Sequence, residues 1–137
     1  MIEFNYETDF TLTNSERLEN WILRCIEKEG FTVGEVNYIF CDDAYLLNLN
    51  KTFLKHDTLT DIISFDNTMG RLISGDVFIS VERVRENAMI YEVSFEEELH
   101  RVMIHGILHY MGYKDKTDDE KSGMRSKENE CLSLLNN

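Results

Sequence analysis

The segment "DIISFDNTMGRLISGDVFIS" (residues 61–80) decides the fold. Its two ends, "DIISF" (61–65) and "GDVFIS" (75–80), are rich in β-branched and aromatic residues, which is typical of strands. The residues between them include Asp, Asn and Gly, which form turns. We therefore expect two antiparallel neighbouring strands, and the apolar character of 61–65 indicates a central position in the sheet.

Residue periodicity predicts the remaining elements. Alternating apolar and polar residues predict strands at 2–6 and 35–40. Helical spacing and start signals predict five helices: one from a Thr13–Glu16 capping box to Gly30, one over 43–53 capped by Asp42, one over 81–91, one over 95–111 opened by Ser94 and Glu97, and a terminal one opened by Thr117 and Glu120. The expected fold class is α/β (α+β-like), a single domain over residues 1–137 with a mixed sheet of about four strands covered by about five helices.

Composition restricts the classes of function. The 137 residues fit one domain, and the net charge of −12 argues against general, non-specific binding to nucleic acids. The cysteines at 25, 41 and 131 are odd in number and never form CxxC, which excludes a complete disulfide framework and a four-cysteine zinc site. With neither a secretory signal nor a membrane-spanning run, we expect a cytoplasmic protein that does not bind membranes. The sequence indicates no oligomeric state.

The segment "HGILHYMGYKDK" (105–116) carries a metal-binding pattern. On a helix, His105 and His109 lie one turn apart and about 40° from each other, so both imidazoles can reach one ion. Gly112 is placed to end the helix in a left-handed conformation, which turns Asp115 back toward the helix end. Two imidazoles and one carboxylate leave a fourth position for water, as in catalytic Zn²⁺ sites, and we predict one zinc per chain. The alternative is a solvated surface pair of histidines.

Two other polar residues of this helix do not fit as ligands. His100 lies about 140° from His105 and about 180° from His109 around the helix, so we expect it to pack on another face. Glu98 shares the ligand face but lies two turns before His105, about 10 Å along the axis. We expect Glu98 to support the first turn of the helix, or at most to contact a ligand.

Position 106 separates this pattern from the metallopeptidases. In the HExxH motif, the glutamate after the first histidine activates the zinc-bound water, and here that residue is Gly106. The metal must then activate water itself, helped by the charge of the substrate or by a group outside this helix. This chemistry suits attack of a metal-activated water on a phosphodiester, whose own oxygens can bind metal. A zincin-like metallopeptidase remains the alternative.

Four segments together resemble one family. "HGILHYMGYKD" (105–115) is similar to H-G-x-L-H-x-x-G-Y-x-H, a signature of the YbeY-type single-strand-specific metallo-endoribonucleases of ribosomal RNA maturation. "LNKTFLKHDTLTDIISF" (49–65) resembles the family block L-N-x-x-F/Y-R-x-x-D-x-x-T-D/N-V-L-S-F, and "SGDVFIS" (74–80) resembles G-D-I-x-I-S. "DDEKSGMRSKENECL" (118–132) resembles the acidic final helix of the family. The likeness covers about residues 35–135.

The resemblance implies a function and a site. It implies a zinc-dependent, single-strand-specific endoribonuclease in 16S rRNA 3′-end maturation and ribosome quality control, with single-stranded ribosomal RNA and the ribosome or its small subunit as partners. It places zinc on His105 and His109, and Asp115 stands where the family usually has a third histidine, which a carboxylate can replace on zinc. The family's arginine after F/Y is Leu54 here. Either Lys55 or His56 takes over its role, or both are ordinary loop residues.

Basic residues near these motifs are candidates for RNA contacts. We predict substrate binding by Lys55, His56, Arg101 and Lys114. A cationic track around the metal would comprise Lys51, Lys55, Arg71, Arg101, Lys114 and Lys116, unless these charges only solvate helix surfaces. The polar residues that match the family blocks are interpreted as structural: Thr60, Asp61, Ser64 and Asp76. A further alternative, from a different class, is a non-catalytic ribosome-assembly factor with a structural zinc.

Overall fold

Four strands and five helices make up the computed structural model, which describes residues 1–56 and 58–136. The strands are β1 (Ile2–Tyr6), β2 (Thr32–Cys41), β3 (Ile62–Asp66) and β4 (Leu72–Ser80). The helices are α1 (Ser15–Lys28), α2 (Asp43–Leu49), α3 (Val81–Tyr91), α4 (Phe95–Tyr110) and α5 (Asp118–Leu135), and a π-helical turn, Asn50–Leu54, follows α2. Two residues of the predicted 1–137 domain, Asp57 and Asn137, lie outside the described residues. The expected single α/β domain is confirmed.

The sheet is mixed, with the order β1-β2-β4-β3. β1 pairs with β2, and β2 with β4, in parallel, whereas β3 pairs with β4 in antiparallel register. The predicted antiparallel neighbours are therefore confirmed, but the central position predicted for residues 61–65 is wrong, because β3 is an edge strand. It is apolar because both of its faces are covered: Ile63 packs with Leu46 of α2, and the Ile62 side chain lies against α4.

Helix α4 packs across the sheet and carries the metal-binding pattern. Its residues Met103, Ile104, Ile107 and Leu108 are fully buried. The Tyr38 hydroxyl of β2 donates a 2.8 Å hydrogen bond to the Met103 carbonyl, which joins the helix to a central strand. Trp21 of α1 donates its indole N–H to the carbonyl of Cys131 in α5 at 2.7 Å, and its ring packs against His100 of α4. The helix that holds the histidines is thus packed against both the sheet and the neighbouring helices.

Most of the predicted helix starts are present. Asp42, Ser94 and Thr117 each accept a hydrogen bond from a backbone N–H in the first turn of their helix, and Thr117 and Glu120 form a complete capping box. The capping box predicted for Thr13 and Glu16 is wrong. The N-cap of α1 is Asn14, with backbone angles that allow no side-chain cap, so packing of its buried face stabilises this helix instead.

Cys25, Cys41 and Cys131 are buried and free of disulfides. No helix in the described part of the chain has the length and apolar character needed to span a bilayer.

Candidate metal centre

Three side chains converge at the end of α4. Nε2 of His105 lies 3.0 Å from Nε2 of His109, one turn further along the helix. Oδ2 of Asp115 lies 3.3 Å from each of these nitrogens. All three side chains are partly exposed, so an ion can reach their ligand atoms from solvent. Within residues 1–56 and 58–136, these residues form the one group of three or more potential ligands whose atoms approach within 4.8 Å of one another.

The spacing of these atoms fits a small tetrahedral ion. With zinc–ligand distances of about 2.0–2.1 Å and tetrahedral angles, neighbouring ligand atoms should lie about 3.3 Å apart. The observed separations are 3.0, 3.3 and 3.3 Å. Two nitrogens and one oxygen are also donors that zinc prefers. The residues present therefore fit the metal that the sequence predicts.

Asp115 reaches the histidines because the chain reverses at Gly112. Gly112 has a φ of 98°, in the left-handed region that glycine enters most easily. The amide of Tyr113 then donates back to the Leu108 carbonyl at 3.0 Å, which closes the helix end. The predicted left-handed ending is therefore present, and it brings the carboxylate of Asp115 to the two imidazoles.

Glu128 of α5 fixes the orientation of His105. Its Oε2 lies 2.7 Å from Nδ1 of His105, and the Glu128 side chain is buried, with 5% of its surface exposed. A hydrogen bond from Nδ1–H to this carboxylate leaves the lone pair on Nε2, the atom that faces His109 and Asp115. Nε2 is thereby the ring atom available to an ion.

The charges around His105 determine the direction in which its pKa is shifted. Burial lowers the pKa of His105, but the hydrogen bond to Glu128 and the negative charges of Glu128, Asp115 and Asp61 outweigh it, so the pKa is raised. Burial raises the pKa of Glu128, but its hydrogen bonds to His105 and Arg101 outweigh that effect, so the pKa is lowered. Glu128 is therefore stabilised as a carboxylate. Its negative charge favours a positive charge on the His105 ring, whether that charge comes from a proton or from a metal ion.

Arg101 completes this support. Its Nη1 donates to Oε1 of Glu128 at 2.9 Å, and its Nη2 donates to the side chain of Asn129 at 2.9 Å. Glu128 therefore holds Arg101 with one oxygen and His105 with the other. The main role of Arg101 visible in the structure is to keep the Glu128 carboxylate charged and oriented.

Position 106 lies against the sheet, away from the ligand atoms. A Cβ at Gly106 would lie 3.1 Å from Cδ1 of Ile62 and 3.3 Å from Cγ1 of Val77. The helix approaches β3 and β4 closely at this point, and only glycine fits without displacement of the strands' side chains. A glutamate at this position would press on these two side chains and would lie on the sheet side of the helix, away from the ligand atoms.

A groove runs from the metal ligands along α4, between α3 and α5. Its volume is about 440 Å³, within the range of small-molecule sites, about 300–1,000 Å³. His105 and Asp115 line one end, and the other lining residues are Asp61, Ile62, Tyr91, Glu98, Arg101, Val102, Arg125 and Glu128. Arg101 and Arg125 are its two cationic residues. The site is therefore an open groove beside the candidate metal position.

The residues predicted to contact RNA are not all at this groove. Arg101 lines it, whereas Lys55, His56 and Lys114 are exposed and absent from its lining. The six-residue cationic track does not form, because Arg71 precedes β4 and packs on Phe31 and the Gly30 carbonyl. The groove lies at the other end of β4. The carbonyl of Asp61, which lines the groove, accepts a hydrogen bond from the amide of Ser80, about 26 Å along the strand from the end near Arg71.

The two polar residues of α4 that were rejected as ligands are indeed not at the metal position. His100 packs edge-on against Trp21, with ring centroids 6.0 Å apart, and burial lowers its pKa. Glu98 lies in the first turn of α4, where an acidic residue stabilises the helix start, as expected. It is also buried and lines the groove, which the sequence did not predict. Asp61 also lines the groove, while Thr60 and Asp76 form the structural hydrogen bonds expected of them.

Three residues of the site were missed in the sequence: Tyr91, Arg125 and Glu128. One signal could have found Glu128. On α5 it occupies the same face as the buried Met124, Cys131 and Leu135, and a charged residue on an apolar helix face requires a buried partner. Tyr91 and Arg125 lie at the surface and carry no such signal.

Fold and geometry define an α/β protein with a candidate two-histidine, one-carboxylate metal site. A sequence model of the family Endoribonuclease YbeY matches residues 2–136. The chain is 58% identical over 135 residues to the endoribonuclease YbeY of Flavobacterium johnsoniae, with 98% of this chain and 97% of that protein covered. It is 52% identical over 134 residues to that of Christiangramia forsetii, with 98% and 94% covered. The solution structure of TM1509 from Thermotoga maritima matches with a TM-score of 0.71 and 30% identity, over 98% of this chain and 89% of that one.

The chain therefore belongs to the endoribonuclease YbeY family. This confirms the predicted family and an enzyme of the endoribonuclease class.

Proposed function

We propose that the protein is a zinc-dependent, single-strand-specific endoribonuclease that acts in the cytoplasm as one domain over residues 1–137. Its substrate is ribosomal RNA on the ribosome or its small subunit, in 16S rRNA 3′-end maturation and ribosome quality control. One observation carries the proposal: the ligand atoms of His105, His109 and Asp115, 3.0–3.3 Å apart, lie at the end of an open groove. The absence of disulfides among its cysteines supports a reducing compartment.

In this proposal His105, His109 and Asp115 hold one Zn²⁺. When bound there, the ion supplies Lewis acidity and activates water for attack on phosphorus. The protein's own part is to keep the three ligands in place. Glu128 holds the His105 ring with Nε2 toward the ion, and Arg101 holds Glu128.

The charge distribution supports recognition of single strands through local contacts. The chain has a net charge of −12, and the groove contains two arginines beside four carboxylates, so general attraction to the phosphate backbone is weak. Binding must depend on local contacts, and unpaired bases expose edges and faces that a duplex conceals. Arg125 lines the groove, and we expect it to contact a phosphate next to the scissile bond.

A peptidase is disfavoured by Gly106. The position where HExxH enzymes carry their base is a glycine that packs against Ile62 and Val77, and a longer side chain there would have to displace them. A purely structural zinc is disfavoured because such sites have four protein ligands, and the described residues bring together three.

The proposal is tested by parallel assays of the zinc-loaded protein on single-stranded RNA, the same RNA in a duplex, and casein. We expect cleavage of the single strand alone. Cleavage of casein in place of RNA would support the peptidase, and no cleavage of any substrate would support the assembly factor.

A further inference from the structure

We propose that the far end of the groove is a nucleobase subsite that selects guanine next to the scissile phosphate, built from Glu98, Tyr91 and Arg125. This inference rests on the proposed endoribonuclease function and adds sequence preference to it. The preference concerns the base next to the cleaved bond and leaves the metal site as described.

The distance of Glu98 from the metal ligands suits a neighbouring nucleotide. It precedes His105 by two turns of α4, about 10 Å along the helix axis. Helical side chains lean toward the N-terminus, so the Glu98 carboxylate points away from the metal ligands. Glu98 therefore cannot touch the reacting phosphorus, but it lies within reach of the adjoining base.

Glu98 is a largely buried residue whose carboxylate lacks a donor. Only 6% of the residue's surface is exposed, and among the described residues its carboxylate accepts no hydrogen bond and has no ion pair within 4.0 Å. Burial and the charges of Asp61 and Glu128 raise its pKa, while Arg101 and Arg125 oppose that shift. The oxygens of Glu98 are not among the buried side-chain atoms without a partner, and the residue lines the groove, so they are accessible from it. A ligand in the groove that brings N–H donors would supply the partners that the protein does not.

The carboxylates of the groove do not form a second metal site. Asp61, Glu98 and Glu128 all line it, yet they do not belong to any group of three ligand atoms within 4.8 Å in the part of the chain that the structure describes. Donors from an organic ligand are therefore the partners that Glu98 fits.

Tyr91 and Arg125 supply the other contacts that a nucleotide needs. Tyr91 ends α3 with 57% of its surface exposed, and its ring contacts no other ring or cation among the described residues. Exposed aromatic rings beside a groove are the surfaces on which unpaired bases stack. Arg125 has 61% of its side chain exposed, and its ion pair with Glu128 is long, at 3.8 Å, so its guanidinium can also turn toward a phosphate.

Guanine is the base that matches a carboxylate best. Its N1–H and N2–H donors lie side by side and can bind both oxygens of Glu98. Uracil has one N–H, flanked by two carbonyl oxygens that a carboxylate repels. A bidentate contact of this type discriminates between bases by about 5- to 100-fold.

The test compares two single-stranded nonamers, oligouridine and the same oligomer with one central guanosine. KM, kcat and cleavage position are measured for the zinc-loaded wild type and two variants, Glu98→Gln and Tyr91→Ala. The matched controls are Glu97→Gln, the exposed neighbour of Glu98, and Ile90→Ala, the exposed neighbour of Tyr91. Equilibrium binding of both oligomers is followed by fluorescence anisotropy.

We expect the wild type to bind the guanosine oligomer about 5- to 100-fold more tightly and to cut at a fixed position relative to guanosine. Glu98→Gln should lose this ratio, Tyr91→Ala should raise KM on both oligomers without lowering kcat, and both controls should behave as wild type. Cleavage of both oligomers with equal KM, or an unchanged ratio in Glu98→Gln, would overturn the subsite and leave the endoribonuclease intact. If neither RNA is cut, the proposed function fails, and equal binding of both oligomers would reject the subsite as well.

Discussion

Oε2 of Glu128 lies 2.7 Å from Nδ1 of His105, which joins the final helix to the first ligand of the candidate metal centre. The two residues are 23 positions apart in the chain. The hydrogen bond determines which nitrogen of His105 is free for a metal, so α5 takes part in the site although it supplies no ligand.

Replacement of Glu128 should weaken metal binding while the fold remains. Glu128→Gln keeps the size of the side chain but removes the charge that holds His105 and Arg101. Loss of such a partner costs about 10- to 100-fold in metal affinity. Zinc competition titration measures this directly, with Glu130→Gln, on the exposed side of the same helix, as the control. Equal zinc affinity of Glu128→Gln and wild type would show that the hydrogen bond does not orient the ligand.

Zinc should stabilise the folded protein. Because the three ligands converge only in the native fold, free zinc at one hundred times its Kd should raise the free energy of unfolding by about 2.7 kcal/mol. Urea unfolding with and without zinc gives this difference. Asp115→Ala should lose most of it, whereas Asp118→Ala, an exposed residue at the start of α5, should keep it. A full zinc effect in Asp115→Ala would remove this carboxylate from the ligand set.

A glutamate introduced at position 106, where HExxH enzymes carry it, should destabilise the protein and produce no peptidase activity. In Gly106→Glu the new side chain would be forced against Ile62 and Val77, with a carboxylate in an apolar contact. We expect a loss of about 3 kcal/mol or more of stability from overpacking and burial of the charge. Gly123→Glu on α5, where an added Cβ meets nothing within 4 Å, should be neutral or slightly stabilising. A stable Gly106→Glu protein that cleaves casein would contradict the close helix–sheet contact.

The Asp43–Arg83 pair should contribute stability that is lost in acid. Burial disfavours the Asp43 carboxylate, but hydrogen bonds from Arg83 and Ser80, both 2.8 Å, outweigh it and lower the pKa of Asp43. A lowered pKa in the folded state gives stability that is present above the unfolded pKa, about 3.9, and disappears as the pH falls through the folded value.

The measurement for this pair is urea unfolding of Asp43→Asn and wild type at pH 7 and pH 3. The difference should be about 1 kcal/mol at pH 7, since the pair is partly exposed, and should shrink at pH 3. Asp9→Asn, an exposed loop carboxylate, should show neither effect. A difference that stays the same at both pH values would assign the stability to packing instead of charge.

The sequence predicted the parts of the fold that depend on local pattern. The antiparallel pairing of β3 and β4 followed from two strand-like runs separated by turn residues, and the reversal at Gly112 followed from its distance to His109. The edge position of β3 could not be predicted, because an apolar run looks the same whether strands flank it or helices cover its two faces. Likewise, Thr13 and Glu16 have the spacing of a capping box, but the backbone begins the helix one residue later.

For the site, too, the sequence predicted what depends on local spacing and missed what depends on the packing of distant helices. His105, His109 and Asp115 lie within one helix and the turn after it, so their spacing alone indicated that they could meet. Glu128, Arg125 and Tyr91 join the site from two other helices, and their positions depend on how α3 and α5 pack against α4. A group that would replace the HExxH glutamate was expected outside residues 105–116, and the groove beside them is lined by Asp61, Glu98 and Glu128.

Metal-dependent RNA cleavage by the wild type and His109→Ala tests the central claim most directly. Both proteins are stripped of metal, assayed on single-stranded RNA, reloaded with zinc and assayed again. We predict that the stripped wild type is inactive and regains cleavage with zinc, while His109→Ala stays inactive in both states because one of the three ligands is gone. Equal cleavage by the two reloaded proteins would contradict the account, since the activity would then not depend on the site formed by His105, His109 and Asp115.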